Sequence, residues 1–78
     1  MWEHSAFRAR MDLGHGRVRA DRVIRRGPEA IIARFWRLHD AAERAEQTGG
    51  TLCLADREEM AVLEREIDRR GLDAEADR

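Results

Sequence analysis

The chain contains few residues whose types and spacing could support catalysis or bind a metal ion. Its one cysteine is Cys53, and its three histidines, His4, His15 and His39, lie far apart in the sequence. Cys53 stands between two leucines with no neighbouring cation, a setting that favours an inert buried thiol. His39 and Glu43 are the one weak pair with metal-ligand spacing, whereas structural zinc needs a cluster of Cys and His ligands. Nucleophile-elbow, phosphate-loop and dinucleotide-binding patterns are absent. The sequence therefore predicts no catalytic site, no metal site and no cofactor.

Arginine is the residue type that could bind phosphate or carboxylate groups. All fifteen basic residues are Arg, and the guanidinium group binds both kinds of anion through paired hydrogen bonds. Residues 1–37 hold nine Arg and four acids, a net charge of +5, whereas residues 38–78 hold six Arg and twelve acids, a net charge of −6. The basic first half and acidic second half indicate that charge influences the choice of partner.

Residues 6–25 must position most of these arginines, and their pattern predicts a β-hairpin. Apolar and polar residues alternate from Phe7 to Leu13 and again after Gly16, as in half-buried strands. A two-residue turn at His15-Gly16 pairs apolar residues on one face and opposite charges on the other. The outer face of this ribbon, which could enter a DNA groove, supplies candidate nucleic-acid contacts at Arg8, Arg17, Arg25 and Arg26. A solvated, soluble sheet face is the alternative for these arginines.

Two amphipathic helices are predicted after the hairpin. Pro28 favours a helix start and Gly49-Gly50 a helix end, so we expect a helix over residues 28–47. Residues 51–54 form either a short third strand or an extended approach to the last helix. That helix is expected to start with a capping box at Asp56 and Glu59 and to end at Arg70, with Gly71 as its cap. The order ββα(β)α gives an α+β fold.

The predicted surface contains two groups of candidate partner-binding residues. Ile32 and Trp36 extend the apolar side of the first helix beyond what one packing contact requires, although a Trp in this position is more often part of the core. Acidic residues of the second helix, Glu58, Glu64 and Asp68, could occupy a partner's groove that normally binds a phosphate backbone; the ordinary polar face of an amphipathic helix is the alternative.

The length of the chain and the composition of its ends indicate how many domains it forms. Seventy-eight residues form one domain, predicted over residues 1–71 with a polar tail over residues 72–78. Because such a small domain buries a thin core, we expect a homodimer, with Ile32–Trp36 or Val62 at the interface. No signal peptide and no apolar run of about 20 residues is present, so the sequence predicts a cytoplasmic protein without a membrane contact.

The combination of the hairpin, the Gly27-Pro28 helix and the acidic last helix resembles the small anti-CRISPR proteins of phages and mobile elements. The resemblance covers the whole chain as a profile of size, charge and element order, without a shared motif, so it transfers no functional residue. It implies a non-enzymatic inhibitor that docks on a Cas protein of a CRISPR surveillance complex and blocks binding of target DNA. The basic first half departs from wholly acidic DNA mimics. The alternative hypotheses are a small dimeric DNA-binding regulator or antitoxin that uses the hairpin, and a structural accessory of a phage particle or larger assembly.

Overall fold

The protein consists of three helices. A computed structural model describes the backbone of residues 2–76 and the side chains of residues 14–76. Helix α1 spans Trp2–Arg26, α2 spans Pro28–Gln47 and α3 spans Leu54–Arg70. Residues 2–76 contain no strand. The predicted α+β fold, with its hairpin and possible third strand, is therefore wrong.

The segment predicted as a hairpin is most of helix α1, and its buried residues explain why. Gly16 and Ala20 are buried and Val23 packs against the core, so the buried positions recur at spacings of four and three, the period of a helix. Val18, which the hairpin places on the same face as Ala20, is 52 % exposed. Ala20 and Ile24 lie on the apolar face in both a strand and a helix, so the short alternation does not distinguish the two structures.

Gly16 contributes to helix packing rather than to a turn. A Cβ atom at this position would lie 2.6 Å from Glu58 Cβ and 2.9 Å from the Glu59 backbone nitrogen, distances that ordinary packing does not allow. The hydrogen side chain of Gly16 therefore lets the backbones of α1 and α3 approach closely, as small residues do elsewhere in helix pairs. Packing between distant segments selects the helical conformation here.

Helix α2 has the predicted bounds, Pro28–Gln47. Pro28 occupies the first turn, where its missing N–H costs nothing, and Glu29 complements the positive end of the helix dipole. At the other end Gly49 has φ +80°, and the Gly50 N–H donates to the Ala45 carbonyl at 2.8 Å. This left-handed cap stops the helix where the sequence predicts.

Helix α3 begins earlier than predicted and without the capping box. Its N-cap is Cys53, which has an extended backbone and makes no side-chain capping hydrogen bond, and residues 51–53 have no regular secondary structure. Asp56 and Glu59 instead accept hydrogen bonds from arginines of the other helices. The predicted end at Arg70, with Gly71 in the left-handed conformation, is confirmed.

The core lies between all three helices. Its buried side chains come from α1 (Ala20), α2 (Ile31 and Leu38) and α3 (Leu63 and Ile67). Leu72 and Ala74, in the predicted polar tail, also pack against this core, and Trp36 Nε1 donates to the Ala74 carbonyl at 2.7 Å. Leu72 and Ala74 of the predicted tail therefore contact the helices directly.

In the part of the chain that the structure describes, no helix is both long enough and apolar enough to cross a membrane.

Candidate anion-binding cleft

A cleft of about 530 Å³ opens between α1 and α2. Arginines supply its charge, and we call it the arginine cleft after the five that line it: Arg19, Arg22 and Arg26 from α1, and Arg34 and Arg37 from α2. The apolar part of the lining consists of Val23, Ala30 and Ala33, and Glu59 of α3 is the one acid among the described residues. The described part of the lining therefore holds five positive charges and one negative charge.

Local helix geometry places these arginines together. Arg19, Arg22 and Arg26 recur at spacings of three and four, which puts them on one face of α1. Arg34 and Arg37 share a face of α2 for the same reason. Gly27 alone separates the two helices, so the end of α1 and the start of α2 are neighbours. The short connection brings the two arginine rows to the two sides of one cleft.

Acids of α3 already compensate two of the five arginines. Arg34 donates two hydrogen bonds to Glu59, from Nε at 2.7 Å and from Nη2 at 3.1 Å. The Glu59 side chain is 1 % exposed, and its hydrogen bonds with Arg34 raise the pKa of that guanidinium above its ordinary value. Arg19 donates to Asp56 at 3.0 Å and lies 4.0 Å from Glu59. These contacts tie the three helices together and hold Arg19 and Arg34 in place.

The other three arginines carry uncompensated charge. Arg22, Arg26 and Arg37 are exposed, and none of them has an acid within ion-pair distance among the described residues. Arg22 and Arg26 are one helical turn apart, a like-charge arrangement that destabilises a helix by about 0.2–0.5 kcal/mol. The guanidinium groups of Arg22, Arg26 and Arg37 are therefore the part of the lining that an anion could contact.

The arginines predicted as nucleic-acid contacts on the hairpin do not all line the arginine cleft. Arg26 lines the arginine cleft. Arg17 and Arg25 are exposed on α1 but do not line it, and the Arg8 side chain lies outside the described residues.

Four cleft arginines were missed by the sequence prediction: Arg19, Arg22, Arg34 and Arg37. Their signal is arginine at helical spacing on both sides of Gly27-Pro28, which becomes visible only when residues 14–26 are treated as a helix.

The predicted protein-docking residues do not form one surface. Ile32 is only 8 % exposed, and Trp36 is partly buried, with edge-to-face contacts to Phe35 at 5.3 Å and His39 at 5.0 Å. The apolar side of α2 at Ile32 is therefore covered within the chain. This removes the main reason for placing a partner there.

The three predicted acids are also divided. Glu64 and Asp68 are exposed one turn apart on α3, whereas Glu58 is rotated from Glu64 by about 120° around the helix. Glu58 is partly buried and lies beside Gly16 of α1. Only Glu64 and Asp68 can act together on an outer surface.

The remaining residues with possible chemistry do not form a built site in the described structure. Cys53, predicted as a buried thiol, is exposed, because the chain before α3 is an extended surface connection. His39 lies 3.7 Å from both Asp40 and Glu43, and ligand atoms of these three residues lie within 4.8 Å of one another. All three come from adjacent turns of α2, with His39 and Asp40 partly buried and Glu43 exposed.

No protein-family model, curated protein or solved structure matches this chain.

Proposed function

We propose that this protein is a non-enzymatic nucleic-acid-binding protein that holds the phosphate backbone in the arginine cleft. The observation that carries the proposal is the convergence of Arg22, Arg26 and Arg37 on one cleft without acidic partners among the described residues. Phosphate groups are a strong match for such arginines, because each guanidinium can donate two parallel hydrogen bonds to one phosphate.

The length of the arginine row suits a polymer of phosphates. Arg19 to Arg26 spans about 10 Å of helix at about 1.5 Å per residue. A nucleic-acid strand carries one phosphate per nucleotide, so arginines spread over this length can contact more than one phosphate of the same strand. A second row on α2 faces the same cleft, which supports contact with one strand from two sides.

The net charge of −1 is compatible with this proposal because binding depends on the local field. Charges separated by more than a Debye length, about 10 Å at 0.1 M salt, are largely screened where they are exposed to solvent. Among the described residues Glu59 is the acid that lines the cleft, and Asp56 and Glu59 already bind Arg19 and Arg34. A phosphate in the cleft therefore meets mainly arginines.

The test is a fluorescence-anisotropy titration with labelled single-stranded and duplex oligonucleotides at 50 and 200 mM salt. The variant replaces the three uncompensated arginines, as Arg22→Ala, Arg26→Ala and Arg37→Ala together. We expect it to lower affinity for every oligonucleotide. For duplex DNA the slope of log K against log salt should fall by about 2.7, since each lost phosphate contact contributes about 0.9.

The matched control removes the same charge from elsewhere, as Arg44→Ala, Arg57→Ala and Arg65→Ala. These arginines are exposed, make no ion pair with another described residue and do not line the cleft. The control should retain most of the affinity and salt dependence. Equal losses in the two triple variants, or no binding by the native protein at 50 mM salt, would show that the cleft is not a nucleic-acid site.

A protein-docking inhibitor, including one of the anti-CRISPR type, is the second candidate, and exposed Glu64 and Asp68 favour it. Two carboxylates one turn apart could pair with arginines or lysines of a basic protein surface. Affinity capture from the native host with the wild-type chain and with Glu64→Arg/Asp68→Arg tests it. We expect the double variant to lose the captured protein; a partner that both chains retain would contradict the acidic surface.

A further inference from the structure

We infer that the arginine cleft seats a single strand, with the sugar and base portion against Val23, Ala30 and Ala33 and the phosphates on Arg22, Arg26 and Arg37. This inference rests on the proposed function and concerns which form of nucleic acid the cleft accepts. It starts from the lining, which combines uncompensated cations with small apolar side chains.

A phosphate group alone would not contact the apolar part of the cleft lining. Ala30 and Ala33 are one turn apart on α2, and Val23 lies on α1 within the same cleft. A bare anion bound by the arginines would leave these three side chains in contact with water. A nucleotide unit has apolar sugar and base surface beside its phosphate, so it can cover them while the arginines bind the charge.

The size of the cleft also favours a strand over a duplex. Its volume of about 530 Å³ lies within the roughly 300–1,000 Å³ of pockets that enclose a drug-sized ligand. An unpaired nucleotide is a ligand of this class and can enter between the helices. In a duplex the bases are paired inside, so the arginines at the rim would reach phosphates while the apolar lining stayed empty.

The lining indicates weak discrimination among bases. It contains no aromatic side chain and no Asn or Gln among the described residues, so it lacks both a stacking platform and the amides that read base edges. Affinity in such a cleft comes from phosphates and from apolar contact that all nucleotides share. We therefore expect similar affinity for pyrimidine and purine strands.

The experiment fills the cleft without changing its charge. Ala33 is exposed, so Ala33→Leu adds bulk to the lining with little demand on the core. Ala61→Leu, at an exposed position of α3 outside the cleft, is the matched control, and Ala33→Gln provides a second filling variant with a polar side chain. Anisotropy titrations at 100 mM salt compare a single-stranded 20-nucleotide probe with the duplex of the same sequence, after circular dichroism has confirmed folding.

We expect the native protein to bind the strand at least about fivefold more tightly than the duplex, because only the strand covers the apolar lining, and both Ala33 variants to weaken strand binding by about fivefold or more. Both affinities of the matched control Ala61→Leu should change by less than about twofold.

Equal or tighter binding of the duplex, or unchanged strand binding by the Ala33 variants, would overturn the single-strand seat. The proposed function would survive that result if the Arg22/Arg26/Arg37 variant still lost affinity for both probes. Absence of binding by either probe would overturn the proposed function and this inference together.

Discussion

Glu66 of α3 binds two arginines of its own helix. Arg69 donates to it through Nε at 3.2 Å and also through Nη2, and Arg70 donates through Nε at 2.6 Å. Glu66 and Arg70 are an i,i+4 ion pair, the spacing at which opposite charges on a helix attract. These hydrogen bonds favour the ionised carboxylate and lower the pKa of Glu66 from 4.5 to about 2.

This pKa shift predicts a dependence of stability on pH. A carboxylate with a lowered pKa in the folded state stabilises the protein above its unfolded pKa, and the contribution is lost as the pH falls towards the folded value. The Glu66 contribution should therefore be complete at neutral pH and disappear between about pH 4.5 and pH 2.

The measurement is denaturant unfolding of the native chain and of Glu66→Gln from pH 7 to pH 2. We expect Glu66→Gln to be less stable at pH 7 and the difference to shrink over the acidic range. The other acids titrate in both chains, so their effect cancels in the difference in unfolding free energy between the native chain and Glu66→Gln. A difference that stayed constant with pH would contradict a role for the Glu66 charge.

At the scale of the elements, the close approach of α1 and α3 depends on Gly16. Gly16→Ala should gain up to about 1 kcal/mol from helix propensity but lose about 1–3 kcal/mol from overpacking, because the added Cβ meets the backbone of α3. We expect a net destabilisation in guanidinium unfolding.

Gly14 is the matched control for this prediction. It lies two residues earlier in α1, and a Cβ there has no atom within 4 Å. Gly14→Ala should therefore stabilise the protein by up to about 1 kcal/mol. If both substitutions stabilised the chain, the described packing of α1 against α3 would be wrong.

The end of α2 provides a second comparison between neighbouring glycines. Gly49 has φ +80°, so Gly49→Ala should cost about 1–2 kcal/mol for placing a side chain in the left-handed region. Gly50 is outside that region and a Cβ there makes only an ordinary 3.7 Å contact with the Ala45 carbonyl oxygen; Gly50→Ala should change stability by less than about 1 kcal/mol. Thermal unfolding of the two variants tests the cap, and equal effects would contradict it.

At the scale of the whole molecule, Trp36 connects α2 to the residues after α3. Trp36→Phe keeps an aromatic ring beside Phe35 and His39 but removes the Nε1 donor to Ala74. We expect a loss of about 0.5–1.5 kcal/mol and faster amide exchange in residues 72–76.

Limited proteolysis of the Trp36→Phe chain provides an independent measurement, with new cleavage expected after Gly71. A chain truncated after Gly71 is the reference, because it also lacks the core contacts of Leu72 and Ala74. Unchanged exchange and cleavage in Trp36→Phe would show that the indole hydrogen bond does not hold this segment.

The Cα atoms extend over 48 × 31 × 16 Å, and a small core gives such a domain little surplus stability. The predicted homodimer stays a prediction, and light scattering at tens of micromolar measures it. The Ile32 side of α2 is no longer a free surface for that contact, because Ile32 is buried within the chain.

The sequence by itself determined the elements whose signals are local. Pro28 and Gly49 mark the ends of α2, and Gly71 marks the end of α3, because proline geometry and left-handed glycine act on the backbone of their own turn. The sequence also showed that residues 1–37 are basic, but it did not show that arginines of this region line a cleft.

Tertiary contacts decided the conformation of α1, the start of α3 and the composition of the site. The alternation before Gly27 suits a strand or a helix, and the approach of Gly16 to α3 resolves it. Asp56 and Glu59 resemble a capping box, yet they bind Arg19 and Arg34, which are 37 and 25 residues away. Such pairings depend on which helices meet, and the packing of the core sets this in three dimensions.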